Sequence, residues 1–98
     1  MINVIVTYRV KAAFAEQNRQ NIDRFLNDFK ALENLNFSYK VFVEKDGQTF
    51  THISEYNDEE TQQLILNVPS FVEFQKARDE SGLLSEPKIQ FLNLVGSK

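Results

Sequence analysis

The dipeptide Asp46-Gly47, set between two runs of strand-forming residues at Phe37–Glu44 and Gln48–Tyr56, most narrowly limits what this chain can fold into. Asp-Gly suits a two-residue type I′ turn, whose central residues both need φ > 0, and such a turn locks its flanking strands into one antiparallel hairpin. If Lys45 pairs with Gln48, then Val43 faces Phe50, Val41 faces His52 and Tyr39 faces Ser54, because side chains alternate with a period of two. Lys40, Phe42 and Glu44 then share the other side with Ile53, Thr51 and Thr49. The first side is the more apolar. It is expected to lie under helices, and it carries the chain's only histidine.

The remaining elements follow from periodicity and punctuation. Ile2, Val4, Val6, Tyr8 and Val10 alternate with Asn3, Thr7 and Arg9 as a first strand, Ile2–Val10. Phe14, Ile22, Phe25, Leu26, Phe29 and Leu32 recur at helical spacing within Phe14–Leu35, with Glu16, Arg19, Asp23 and Lys30 on the outer side. Asn57 followed by Glu60 predicts a helix N-cap with its reciprocal acid and a short helix to about Leu66. Pro69 fits the first turn of a further helix with Phe71, Phe74 and Ala77 inward, ended near Gly82. A last strand is predicted over Lys88–Val95.

The order is β-α-β-β-(α)-α-β: an α+β, ferredoxin-like fold in which a four-stranded antiparallel sheet carries its helices on one face. At 98 residues it is expected to form one domain over positions 1–98, burying only about 60–70% of its unfolded surface. Ile5, Phe42, Ile53 and Leu92 or Leu94 would then occupy the uncovered face, an apolar area that predicts a homodimer closed by two sheets.

Charge and composition remove several functions. A net charge of −3, with 11 basic residues dispersed among 14 acids, offers no stripe for phosphates, so nucleic acid is not an expected partner. With no cysteine there is no disulfide, thiolate metal site or cysteine nucleophile. No apolar run approaches the ~18 residues of a membrane span, and the N-terminal segment is too short and interrupted for a signal peptide, so a cytoplasmic protein is expected. The acidic run Asp58-Glu59-Glu60 reads as a helix N-terminus rather than a metal site. Arg9 and Lys11 suit either an acidic ligand or salt bridges to a partner subunit.

His52 admits two readings. It could exchange a proton with a ligand at near-neutral pKa, or fill the core with its nitrogens tied to Ser54, Tyr8 or backbone. A nucleophilic pairing with Ser54 fails, since same-face neighbours on a strand stand ~7 Å apart.

The segments Val6–Phe14 (VTYRVKAAF), Ser54–Thr61 (SEYNDEET) and Val68–Phe74 (VPSFVEF), taken with the element order, resemble the dimeric α+β barrel superfamily and within it the antibiotic biosynthesis monooxygenase-like group. The resemblance implies a homodimer with a small-molecule pocket between helices and sheet in each subunit. It also implies oxygenation of aromatic, quinol-like or enolisable compounds with no metal or organic cofactor. On it Tyr56, the aromatic ending the third strand, matches a pocket position, with His52 and Tyr8 beside it as catalytic candidates. Tyr39, Val41, Phe50, Ser54, Phe71, Phe74 and Arg78 would line the pocket. In the mechanism implied, His52 takes or shares a substrate proton while Tyr56 and Tyr8 hold the oxyanion. The chain departs from the pattern at Ile65 and Ser70, where relatives often carry histidine, which leaves room for a non-catalytic ligand-binding or structural dimer, or for an isomerase. The haem-degrading branch is excluded by the lack of tryptophan and by a histidine on the wrong element.

Overall fold

The computed structural model describes residues Met1–Lys98. Strand β1 (Ile2–Arg9) leads through a 3₁₀ turn (Ala12–Phe14) into helix α1 (Ala15–Lys30); β2 (Phe37–Val43) and β3 (Thr49–Tyr56) form the hairpin. Helices α2 (Glu59–Leu66) and α3 (Pro69–Ala77) follow, α3 widens into a π-turn over Arg78–Gly82, and β4 (Lys88–Leu92) ends the sheet. All pairings are antiparallel in the order β2-β3-β1-β4. This is the ferredoxin-like arrangement expected from the element order.

The hairpin register is the expected one: Tyr39 opposes Ser54, Val41 opposes His52 and Val43 opposes Phe50. The turn that sets it is different. Within the turn only Gly47 has positive φ, at 70°. The loop runs over four residues, with the Gly47 N–H donating to the Glu44 carbonyl and the Glu44 N–H to Thr49. Asp46 stays out of the left-handed region because its carboxylate has a use elsewhere, accepting from the N–H groups of Gln48 and Thr49 and from the Thr49 hydroxyl at 2.7–2.8 Å. Those bonds hold its carboxyl down at about 2.

Other boundaries also move. Helix α1 stops at Lys30 although Leu32 and Leu35 continue its spacing, and Asn34 at φ 64° turns the chain away. The cap of α2 is Asp58 instead of Asn57: its side chain accepts the Thr61 N–H at 2.8 Å, with Glu59 and Glu60 in the first turn beside the helix's positive end. The first strand ends at Arg9, while Val10 makes an isolated bridge to Leu83. The last strand ends at Leu92, three residues short of its expected end.

The core lies between the helices and the inward side of β1, β2 and β3, around Tyr8, Phe25, Phe29, Phe50, Tyr56, Ile65, Phe71 and Phe74. On the outer side Phe42 and Ile53 are exposed and Ile5 is half-buried. Strand β4 is covered on neither side. Leu92 registers with Asn3 on the outer face, whereas Ile89 and Phe91, opposite Val6 and Val4, face the helix side yet are 58% and 70% exposed. No helix is long and apolar enough to cross a membrane.

Candidate functional site

The register places His52 at the centre of the inward face. Val6 on β1 and Val41 on β2 lie directly opposite it. Tyr8 and Tyr39 are therefore its diagonal neighbours, at a distance that long aromatic side chains span. Both reach the imidazole: Tyr8 Oη stands 2.7 Å from Nε2 and Tyr39 Oη 2.8 Å from Nδ1. From above, Asn18 on α1 donates its Nδ2–H to Tyr8 Oη at 3.0 Å. The result is an unbroken hydrogen-bonded chain, Asn18–Tyr8–His52–Tyr39, crossing the core.

Its surroundings are aromatic. The rings of Phe25 and Phe74 lie 6.2 and 5.3 Å from that of His52, Phe71 packs on Phe25 and Phe74, and Phe50 stacks on Tyr8. His52 is 2% exposed. Burial, aided by the nearby Arg78 guanidinium, holds its pKa down at about 3, so the near-neutral value expected from residue type does not survive folding. Burial raises both tyrosines well above the ordinary phenol value. For Tyr8 the Asn18 N–H and Arg78 oppose the rise; for Tyr39 the neighbouring Tyr56 and Tyr8 reinforce it.

The structure thus brings together Tyr8, Tyr39, His52, Phe71, Phe74 and Arg78. Val41 and Phe50 flank them and also line a groove of about 290 Å³ under α1. Ser54 is buried on the same side of β3 without bonding His52, and Tyr56 lies two inward positions from His52, opposite Ile2 and Phe37. Both nitrogens of His52 are already taken by Tyr8 and Tyr39, which leaves none for Ser54 or Tyr56. Burial raises the Tyr56 pKa, opposed by the Ser54 hydroxyl. No three His, Cys, Asp or Glu side chains converge as metal ligands.

Asn18 is the member that sequence reasoning missed. It is fully buried, and its Oδ1 is the one buried side-chain polar atom without a partner. The signal was an amide in the apolar series Phe14, Asn18, Ile22, Phe25, Phe29, where spacing alone demands a hydrophobe. The histidine-replacing positions have structural occupants: Ile65 is fully buried, and the Ser70 hydroxyl donates to Asp28 at 2.5 Å, tying α3 to α1.

No family model matches the chain, and no curated protein matches it. Solved structures do. An antibiotic biosynthesis monooxygenase is similar over 98% of this chain and 100% of its own, at 15% identity and TM-score 0.83. A candidate antibiotic biosynthesis monooxygenase from Caulobacter crescentus CB15 matches 97% of this chain and 90% of its own, at 18% identity and TM-score 0.80. A protein from Pseudomonas aeruginosa matches 97% and 94%, at 19% identity and TM-score 0.80. The chain therefore shares the fold of these proteins over nearly its whole length, as the resemblance implied.

Proposed function

We propose that this chain is a cytoplasmic, homodimeric, monooxygenase-like enzyme of the antibiotic biosynthesis monooxygenase group. It acts without cofactor on a small aromatic, quinol-like or enolisable compound. The observation that carries the reading is the buried Asn18–Tyr8–His52–Tyr39 chain within a wall of phenylalanines. Such chemistry needs a few polar groups in a water-poor compartment, where a substrate anion can be stabilised and a proton managed.

A histidine held near pKa 3 is not a base that works by becoming charged. It can still carry a proton, because neutral imidazole accepts at one nitrogen while donating from the other. A proton entering at one tyrosine then leaves at the other with no cation left in the core. Burial keeps both Tyr8 and Tyr39 protonated, and because a neutral imidazole accepts from one of them and donates to the other, one hydroxyl proton is left to point toward a substrate oxyanion. Tyr56 is buried at the end of β3 on the same inward face. Ile5, Phe42 and Ile53, with Leu92, form the outer face through which two copies pair.

The test is oxygen uptake by the wild-type dimer with a panel of quinols and polyphenols, repeated with His52→Gln. Turnover with at least one compound is expected, falling about 100-fold or more in a variant that remains folded and dimeric. Uptake indistinguishable from solvent for every compound, or unchanged by the substitution, would reject the reading.

A second reading, a non-catalytic ligand-binding or structural dimer of the same fold, is favoured by the saturation of both His52 nitrogens and by the structural occupants at Ile65 and Ser70. It predicts ligand binding or dimerisation with no consumption of oxygen. An oxygen-independent isomerase would use the same proton chain and would turn over anaerobically.

A further inference from the structure

We propose that Arg78 is the floor of a binding site for an organic monoanion, a carboxylate, phenolate or enolate on an apolar body, in the groove between the end of α3 and β4. The groove encloses about 500 Å³, within the usual range for small-molecule sites. Val6, Leu83, Pro87 and Ile89 supply its apolar walls, and the exposed carboxylates of Asp79 and Glu86 stand beside them.

Arg78 is an unusual residue to bury. Its side chain is 9% exposed, and its single protein acceptor is Asp79 Oδ1, 2.9 Å from Nε. Neither Nη amino group has a protein acceptor and both reach solvent, so one edge of the guanidinium fork is open to a ligand. The plane is nonetheless held firmly: the guanidinium carbon sits 5.0 Å from the centre of the Tyr8 ring and 5.3 Å from that of Phe74. The backbone is shaped around it as well. The helix widens at this residue, the Arg78 carbonyl accepting the Leu83 N–H at 3.2 Å, and such π-turns recur at functional sites.

The exposed Asp79 does not neutralise that charge inside the protein. Tyr8, Tyr39 and His52 all feel Arg78 as a positive neighbour, which favours phenolate at the tyrosines and disfavours imidazolium at the histidine. A guanidinium held flat between two rings, with both amino groups open to solvent and without a protein acceptor, presents a planar fork that an anion can take edge-on. Asp79 and Glu86 would repel phosphate or a second carboxylate at the mouth, which is why a monoanion is specified. Under the function proposed above, this anion is the substrate's oxyanion, held by the group that a neutral His52 cannot replace. The binding claim itself needs no turnover.

The probes are 2-naphthoate and its neutral counterpart 2-naphthamide, with binding followed by NMR at the Arg78 side-chain N–H and the Leu83 and Ile89 amides. Naphthoate is expected to bind at least about tenfold tighter, the equivalent of one charge-assisted hydrogen bond. Arg78→Met is expected to abolish the preference while melting close to the wild-type temperature, since it keeps the apolar stem in place and removes a mostly buried charge. Arg78→Lys, which lacks the planar fork, should not restore it. Equal binding of the two probes, no binding of either, or a preference that survives in Arg78→Met would overturn the proposal. A lower melting temperature with the preference intact would assign Arg78 to packing alone. Naphthoate binding without oxygen uptake on any quinol leaves this site standing and removes the oxygenase; oxygen uptake without naphthoate binding does the reverse.

Discussion

Acidification from pH 7 to pH 5 should destabilise this protein by about 2 kcal/mol through one side chain. In the unfolded chain His52 has its ordinary pKa of 6.5, and in the folded core about 3. Between those values the unfolded state binds a proton that the folded state refuses, so stability is fully present above 6.5 and falls by ~1.4 kcal/mol for each pH unit below it. At pH 5, 1.5 units into that window, the loss is ~2 kcal/mol; carried to pH 3 it would approach ~5 kcal/mol, comparable to the whole stability of a small domain. Asp46 and Asp58 have lowered pKa values and act in the same direction, but only as pH falls toward and below their ordinary 3.8, outside the comparison of pH 7 with pH 5. Urea unfolding at pH 7 and pH 5, at one fixed protein concentration, should show the midpoint falling by about 1–2 M. His52→Gln should be less stable at pH 7 yet show no fall between the two values. A wild-type midpoint that does not move, or a variant that shows the same fall, would refute the argument that a neutral, buried imidazole sits at the centre of the core.

Three further perturbations test the frame around the site. Ile53→Glu places a charge on the outer face, and light scattering should show the proposed dimer of the wild type replaced by monomer; a dimer unchanged by the substitution would mean that the copies pair elsewhere. Gly82→Ala would drive a methyl group into the Phe14 ring, which lies against that backbone, and should cost about 1–3 kcal/mol in urea unfolding, with no loss counting against the close approach. Asp58→Ala removes the acceptor at the start of α2 and should cost about 1 kcal/mol by the same measurement, whereas Asn57→Ala should cost much less.

The parts of the fold legible in the sequence were those that a period decides. Alternation in the two hairpin strands gave every partner from Tyr39–Ser54 to Val43–Phe50, and this outcome did not depend on the turn type, because a two-residue loop closed by Lys45 and Gln48 and a four-residue loop closed by Glu44 and Thr49 share one register. Punctuation was less reliable where two residues compete for one role. Asp46 satisfies neighbouring N–H groups instead of adopting positive φ, and Asp58 outcompetes Asn57 as the cap. Periodicity also could not end α1, since Leu32 and Leu35 keep its spacing while Asn34 breaks its backbone.

The site was legible as a set of neighbours but not as a network. Placing Tyr39 opposite Ser54 already made it diagonal to His52. What no pattern supplied was the reach of two tyrosines from opposite sides to both ring nitrogens, or the amide of Asn18 arriving from the helix. The pKa of His52 was misjudged for the same reason: it depends on the depth of burial and on Arg78, both products of the assembled core. Nor does alternation reveal that the helices stop short of β4, leaving Ile89 and Phe91 uncovered.

Because His52 is the only histidine, its ring signals in an NMR titration are unambiguous, and following them with and without quinols and polyphenols tests the central claim most directly. The account predicts a ring that ignores pH from 8 to 5 in the free protein yet shifts when a ligand binds against the Tyr8–His52–Tyr39 chain. A ring that titrates near 6.5 would contradict the buried neutral chain, and one that ignores both pH and every ligand would make His52 a piece of core and remove it from any chemistry.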